Sequence, residues 1–187
     1  HFARAATIAA ALSLAELSPV SLSVVFMGVA GCGKSSLAAA VAAAEQLPLV
    51  EGDDFHSPAS RAKMSEGIAL DDADRDGWLA ELGRQLAAQP DGIALTCSAL
   101  KRSYRERLRA AAPGLRFVFL ELERDESLRR VAGRSSHFFS ASLVDSQFAT
   151  LESPVGEPGV LRVDATAPLE SLVAEVRRWL RSPSSPG

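Results

Sequence analysis

A short stretch near the beginning of the sequence constrains the fold of this chain more than any other feature. Residues 28–35 read Gly-Val-Ala-Gly-Cys-Gly-Lys-Ser and match the phosphate-loop pattern G-x-x-x-x-G-K-[ST]. An apolar run of strand composition (residues 21–27) precedes the stretch, and an alanine-rich helix former (residues 36–45) follows it. Strand, glycine-rich loop and helix N-terminus in this order bind phosphate, because the loop amides and the helix dipole face the anion. The sequence therefore predicts a site for a nucleoside triphosphate.

The residue types in this stretch suggest separate roles. Lys34 can reach the β- and γ-phosphates, which makes it a candidate catalytic residue, and the Ser35 hydroxyl can bind Mg²⁺. The predicted cofactors are therefore ATP and Mg²⁺. We assign nucleotide binding to the loop and the residue after it, namely Gly28, Val29, Ala30, Gly31, Cys32, Gly33, Lys34, Ser35 and Ser36.

Length and composition indicate one ordinary globular domain. The chain has 187 residues, 47% of them hydrophobic, and a formal net charge of −3, which gives no overall attraction to nucleic acids or acidic membranes. Two cysteines do not make a disulfide framework, so a cytoplasmic location is predicted. We divide the chain into an N-terminal extension (1–20), whose apolar part is too short to span a bilayer, a single domain with the phosphate loop (21–181) and a disordered tail (182–187).

The hydrophobic pattern predicts an α/β fold of three layers. Apolar runs at five places alternate with helical patterns, which is typical of a parallel sheet covered by helices on both faces. The runs lie at 21–27, 47–51, 93–97, 115–122 and 159–163. Helices are predicted at 77–88, from Ser98 or Ala99 onward, and at 168–180.

One segment, residues 124–158, breaks this alternation. It carries several arginines and no convincing strand. In a phosphoryl-transfer enzyme such an insertion often closes over the nucleotide, so we predict a helical lid. A pair of solvated surface helices is the alternative.

A second cluster of polar residues follows the second predicted strand. Ligands of open α/β sheets bind beyond the carboxyl ends of the strands, so Asp53 is expected to face the same crevice as the phosphate loop. A carboxylate there can orient an acceptor hydroxyl and take its proton. Alternatively, Asp53 and Asp54 only cap a turn or a helix.

Several ordered blocks, spread from about Val24 to Trp179, make the chain resemble the gluconate kinases (gluconokinases), small relatives of the shikimate and adenylate kinases. The first blocks are Met27-Gly28-Val29, Gly52-Asp53 with His56, Lys63-Met64 with Gly67, and Leu70-Asp71-Asp72 with Asp74-Arg75 and Trp78-Leu79. The later blocks are Cys97-Ser98-Ala99-Leu100-Lys101 with Tyr104-Arg105, Arg134, His137-Phe138-Phe139, Gln147-Phe148, Leu151-Glu152, and Val163-Asp164 with Pro168-Leu169.

The resemblance implies ATP-dependent phosphorylation of D-gluconate on its terminal hydroxyl, in a homodimeric enzyme that binds neither nucleic acid nor membrane. Gluconate carries a carboxylate and a row of hydroxyls, so its site needs cations and hydrogen-bonding groups. Candidate cations are Lys63, Arg75, Lys101 and Arg105, and candidate hydroxyl ligands are Asp53, His56, His137 and Gln147. Arg134 is assigned to the charge on the transferring phosphoryl group, and Arg130 to that role or to the nucleotide. An ordinary solvated basic face is the alternative for the arginines and lysine of residues 101–109.

Other functions remain open at this stage. A related kinase with another acceptor, such as shikimate or a nucleoside monophosphate, fits the phosphate loop equally well. Residues 74–77 match the switch pattern D-x-x-G of GTP-binding proteins, but no strand precedes them and the sequence contains no [NT]-K-x-D guanine motif. An RNA-binding role for the basic helix at 101–109 lacks an aromatic platform.

Overall fold

The sheet is the framework of this domain. A computed structural model describes residues 22–134 and 140–183. Within them lies a five-stranded sheet in which every pairing is parallel, with the order β2-β3-β1-β4-β5. The strands are β1 (Leu22–Met27), β2 (Leu49–Glu51), β3 (Gly92–Thr96), β4 (Arg116–Glu121) and β5 (Val160–Asp164). The predicted fold class and all five predicted strands are confirmed, with small shifts of their ends.

Helices connect the strands and cover both faces of the sheet. In the described residues they are α1 (Lys34–Glu45), α2 (Pro58–Ser65), α3 (Asp72–Ala87), α4 (Arg102–Ala111), α5 (Arg124–Ala132), α6 (Ala141–Thr150) and α7 (Leu169–Arg181). A short 3₁₀ helix spans Gly52–Phe55. None of the helices in these ranges is long and apolar enough to cross a membrane. The predicted extension 1–20 and residues 184–187 of the predicted tail lie outside the described residues.

The core has two halves, one on each face of the sheet. Side chains of β1 alternate between them: Val24 and Phe26 pack with α1 and α7, whereas Val25 and Met27 pack with α3 and α4. All four side chains are fully buried. Burial of each side chain of this size stabilises the fold by about 1.5–3 kcal/mol, so the central strand is firmly fixed. The phosphate loop therefore starts from a strand that is buried on both faces.

Two helices begin at places that differ from the prediction. Helix α3 starts at Asp72 rather than at residue 77, because Asp71 and Asp74 form a capping box in which each side chain accepts from the other residue's backbone N–H. Helix α4 starts at Arg102 rather than at Ser98 or Ala99, because Ala99 has a left-handed backbone (φ 47°) that no helix contains. Helix α2 and the 3₁₀ helix were not predicted.

The topology brings three loops to one edge of the sheet. The loops after β1, β2 and β3 all leave the carboxyl ends of parallel neighbours, and β1 pairs with β3 on one side and β4 on the other. A crevice forms where the chain leaves the sheet in opposite directions, and ligands of such sheets bind there. The phosphate loop and the 3₁₀ helix at Gly52–Phe55 both lie at this crevice.

Two glycines provide a matched test of this packing. A Cβ on Gly52 would overlap the carbonyl oxygen of Thr96, whereas a Cβ on Gly77 in α3 would meet no atom within 4 Å. We expect Gly52→Ala to lower the free energy of unfolding by about 1–3 kcal/mol through overpacking. Gly77→Ala is expected to raise it by about 0.5–1 kcal/mol, because alanine favours the helix.

Chemical denaturation of the two variants checks this expectation. Equal stabilities for Gly52→Ala and the unmodified protein would contradict the close contact between β2 and β3.

Candidate active site

The loop between β1 and α1 has the backbone of an anion-binding nest. Gly28, Gly31 and Gly33 adopt positive φ angles of 146°, 76° and 91°. A side chain on Gly28 would collide with the carbonyl oxygen of Leu120 and with Cys32 Sγ. These conformations turn the loop around the N-terminus of α1, where backbone N–H groups are free to bind phosphate.

The loop divides into a rim at the cleft and a floor below it. Its rim lines a cleft and consists of Ala30, Gly31, Gly33, Lys34, Ser35 and Ser36. Gly28, Val29 and Cys32 are buried below the rim and pack into the core. The rim residues are therefore the better candidates for direct contact with the nucleotide, and the floor residues shape the loop.

Helix α5 holds the loop from outside. Ser127 Oγ donates to the carbonyl oxygen of Ala30 at 2.7 Å, and Arg130 Nη1 donates to that of Gly31 at 3.1 Å. Arg130 also contacts Glu126 and the carbonyl oxygen of Ala165. This geometry does not support the assignment of Arg130 to the nucleotide or the phosphoryl group, because its guanidinium is engaged by the protein and lies outside the cleft lining. Arg130 braces the phosphate loop.

Ser35 forms an oxygen-rich corner with a carboxylate at the end of β2. Its Oγ donates to Glu51 Oε2 at 3.0 Å, and the same carboxylate oxygen accepts from Thr96 Oγ1 at 2.6 Å. Hydroxyl and carboxylate oxygens are the protein ligands that Mg²⁺ prefers, and it takes few of them beside water and phosphate oxygens. The donor set at Ser35 therefore fits a magnesium ion brought in with the triphosphate.

The end of β2 is fixed by three contacts around Gly52. Its N–H donates to Thr96 Oγ1 at 3.1 Å, and its carbonyl oxygen accepts from Trp78 Nε1 at 2.7 Å. The ring of Trp78 stacks on His56 with a centroid distance of 4.3 Å. Asp53, the next residue, thus projects from a rigid turn.

The carboxylate of Asp53 is open to the cleft and ionised. Its side chain is 84% exposed, and Oδ1 lies 3.4 Å from His56 Nε2. The contact with His56, helped by the positive charge of Lys34, lowers the pKa of Asp53 below its ordinary value. A carboxylate of low pKa is a weak base but a permanent hydrogen-bond acceptor at neutral pH, so Asp53 is suited to orient a hydroxyl.

Phosphate loop and Asp53 line one cleft of about 330 Å³. The other sequence-predicted residues in its lining are His56, Arg75, Arg134 and Gln147. Ser98, after β3, also lines it. The neighbouring Cys97 thiol is completely buried, which raises its pKa to about 12, and it experiences the charges of Asp53 and Lys34. The three loops at the edge of the sheet therefore meet at one place.

The candidate cations separate into two groups. Arg75 lines the cleft, donates to Tyr104 Oη at 3.3 Å, and forms no ion pair with any described residue. Lys63 and Lys101 lie outside the lining and are paired with carboxylates of α3, Lys63 with Asp74 and Lys101 with Asp72. Arg75 is therefore the candidate with a guanidinium available to an anionic ligand.

Arg105 requires a correction. Its side chain is fully buried, and its guanidinium is paired with Glu157 and bonded to backbone carbonyl groups. Because no ligand can reach it, the predicted contact with substrate is wrong, and so is the alternative of a solvated basic face at this position.

The last two predicted ligands belong to the 124–158 segment. Gln147 of α6 reaches the phosphate loop, where its Oε1 accepts from the N–H of Ala30 at 2.6 Å. His137 lies outside the described residues. Helix α6 thus forms a wall of the cleft directly against the nucleotide loop.

Sequence reasoning missed two residues of this site. Glu51 was overlooked beside Asp53, although an acidic residue at the carboxyl end of a parallel strand is a usable signal. Arg61 lines the cleft and donates to the carbonyl oxygens of His56, Asp53 and Asp54, so it braces the turn that carries Asp53. No local pattern marks Arg61, because its partners are backbone atoms.

A phosphate loop opposite an ionised aspartate, in a three-layer parallel α/β domain, defines the class of P-loop kinases that phosphorylate small molecules.

Comparison with known proteins supports this class. Residues 24–154 match the family model described as an AAA domain. The probable gluconokinase of Schizosaccharomyces pombe is 42% identical over 71% of this chain and 74% of its own length. The gluconokinase of Gluconobacter oxydans is 41% identical over 84% of this chain and 90% of its own.

A solved structure also resembles this chain. The crystal structure of a gluconokinase from Sinorhizobium meliloti has a TM-score of 0.80 and 46% identity, and the match covers 86% of this chain and 92% of that one. The chain belongs to the gluconokinase family.

Glu51 gives a test of the metal corner. Glu51→Gln keeps the size and the acceptor for Thr96 but removes the charge beside Ser35. We expect it to raise the Mg²⁺ concentration for half-maximal activity by about tenfold, as for other groups that orient metal ligands. The matched control is Glu106→Gln, an exposed site on α4. An unchanged Mg²⁺ requirement in Glu51→Gln would show that Glu51 has no part in metal binding.

Proposed function

We propose that this protein catalyses ATP-dependent phosphorylation of D-gluconate on its 6-hydroxyl, giving 6-phosphogluconate and ADP. The observation that carries the proposal is the shared cleft, in which a phosphate loop and an ionised Asp53 face the same space. Gluconate as the acceptor is supported by the relatives named gluconokinases and by an unpaired cation, Arg75, in the cleft wall.

The donor is held by the phosphate loop. Backbone N–H groups of the loop and the Lys34 ammonium bind the phosphates, and Lys34 Nζ lies at the loop, 2.9 Å from the carbonyl oxygen of Gly28. Mg²⁺, held by Ser35 with Glu51 behind it, would neutralise charge on the β- and γ-phosphates when bound.

The acceptor lies between Asp53 and Arg75. Asp53 accepts a hydrogen bond from the 6-hydroxyl and so aims its oxygen at the γ-phosphate for in-line attack. As the new O–P bond forms, the bond from the γ-phosphorus to the bridging oxygen of ADP breaks, and Asp53 takes the hydroxyl proton. Arg75 binds the carboxylate at the other end of the sugar acid, as a planar guanidinium suits a carboxylate. His56, fixed by its stack on Trp78, holds Asp53 in place and closes the wall beside it.

Arg134 and the segment that carries it complete the proposal. Arg134 lines the cleft, is exposed and forms no ion pair with the described residues, so it is available to the charge on the transferring phosphoryl group. We assign residues 124–158 to a lid that excludes water during transfer. The role of His137 as a hydroxyl ligand stays a prediction.

Homodimeric assembly and a cytoplasmic location are further parts of the proposal. The homodimer rests on the family resemblance. The two cysteines, Cys32 and Cys97, are unpaired and buried, which agrees with a reducing compartment.

Removal of the charge on Asp53 tests its role. We expect Asp53→Asn to lower kcat with gluconate by roughly 10²–10⁴-fold, because the amide cannot accept the hydroxyl proton in the same way. Lys34→Ala is expected to abolish turnover through loss of the phosphate contact. Asp54→Asn, in the same turn, is the matched comparison and should lose far less activity. A near-normal kcat in Asp53→Asn would refute the assignment.

A comparison of acceptors tests Arg75. Arg75→Gln should raise the KM for gluconate by roughly 10–100-fold, the value of a hydrogen bond to a charged group, with little change for a neutral polyol of the same length. Lys101→Gln is the matched control, since Lys101 is paired with Asp72 outside the cleft. A larger effect in Lys101→Gln than in Arg75→Gln would exchange the two assignments. A screen of the unmodified protein with sugar acids, polyols and shikimate identifies the acceptor independently.

A further inference from the structure

Arg105 is the largest fully buried side chain of the described domain, and it is charged. Its partner Glu157 is also largely buried, with 9% of its side chain exposed. Burial acts to raise the pKa of Glu157, but hydrogen bonds from Arg105 and Arg109 outweigh it and lower that pKa. Glu157 therefore carries its negative charge beside the Arg105 guanidinium. A buried ion pair adds little net stability over an apolar pair of the same size, so its presence calls for another reason.

One side of the guanidinium fixes the loop after β3. Arg105 Nη1 donates to the carbonyl oxygens of Ala99 and Leu100, at 2.8 and 3.1 Å. Ala99 is the residue with the left-handed backbone (φ 47°), a conformation that costs energy for any residue with a Cβ. Directly before it, Ser98 lines the cleft. The two hydrogen bonds offset the strain and so determine where Ser98 lies.

The other side of the guanidinium fixes the end of α6. Arg105 Nη2 donates to the carbonyl oxygen of Glu152 at 3.0 Å, two residues after α6 ends. The N–H of Glu152 donates to the carbonyl oxygen of Leu100 at 2.8 Å, and its carboxylate accepts from the N–H of Arg102 at 2.8 Å. Arg105 thus joins the loop after β3 to the helix that carries Gln147 of the cleft.

We infer that Arg105 is a positioning residue for phosphoryl transfer, which sets the acceptor side of the cleft by fixing Ser98 and α6 relative to each other. The inference rests on the proposed function. It also explains why a charged residue is buried here. A planar guanidinium with five N–H donors can bond three carbonyl oxygens and a carboxylate at once, which no apolar side chain does.

The phosphate loop is held chiefly by another helix, although Gln147 of α6 also accepts from the N–H of Ala30. Ser127 and Arg130 of α5 hold the loop carbonyl oxygens, and neither contacts Arg105. A change at Arg105 should therefore alter the acceptor constants much more than the nucleotide constants. A role in stability alone would lower the melting temperature and leave the ratio of the two KM values unchanged.

Steady-state kinetics of Arg105→Met test the inference. This variant replaces the guanidinium by an apolar end and keeps an unbranched side chain. We expect the KM for gluconate to rise about tenfold or more while the KM for ATP stays within about twofold. Arg102→Met is the matched control, because the Arg102 side chain is exposed on the same helix and, among the described residues, pairs only with Glu106. Arg105→Lys serves as the second variant, since it keeps the charge and loses the planar fork, and the same direction is expected.

A rescue experiment separates positioning from ion pairing. In the Arg105→Met background, Ala99→Gly removes the backbone strain that the guanidinium offsets. The second substitution should therefore lower the raised KM for gluconate part of the way back to its original value. Equal rises in both KM values, or an unchanged KM for gluconate in a folded variant, would overturn the inference. Failure of both Arg105 variants to fold would also overturn it and make Arg105 purely structural. Absence of gluconate phosphorylation by the unmodified protein would instead refute the proposed function, and this inference with it.

Discussion

The close contact between Gly52 and Thr96 is the constraint on which the rest of the site depends. Only a residue without a Cβ allows the end of β2 to lie this near the carbonyl oxygen of Thr96 in β3. The contact carries Asp53 to the same edge as the phosphate loop, and it brings Glu51 within reach of Ser35. Donor and acceptor groups therefore meet because β1, β2 and β3 end at the same edge of the sheet, and because no side chain on Gly52 separates β2 from Thr96.

The electrostatics of the cleft differ from those of the whole chain. The formal net charge is −3, yet the described lining contains Lys34, Arg61, Arg75 and Arg134 against only two carboxylates, Asp53 and Asp54. A local excess of positive charge attracts two anionic reactants that the chain as a whole would repel. Arginines of the neighbourhood that are paired or buried, such as Arg105 and Arg130, shape the walls instead.

The sequence predicted the parts of this site that are contiguous in the chain. The phosphate loop and Asp53 follow strands directly, so pattern and topology together locate them. Arg105 was misassigned because its neighbours at i−4 and i+4, Lys101 and Arg109, are also cationic, while its carboxylate partner Glu157 lies far away in sequence. Glu51 was missed for a related reason, since its importance comes from Ser35 in the first turn of α1. Helix α4 was predicted to start too early, because the sequence alone does not reveal the left-handed backbone of Ala99, whose carbonyl oxygen accepts from the Arg105 guanidinium.

The central claim is that one cleft holds both reactants with the terminal hydroxyl of gluconate at Asp53. A crystal structure with gluconate and a non-hydrolysable ATP analogue measures this directly. The account predicts the 6-hydroxyl within about 2.6–3.2 Å of Asp53, with the sugar carboxylate at Arg75. A complex in which the carboxylate lies beside Asp53, or in which gluconate binds outside the cleft, would contradict it.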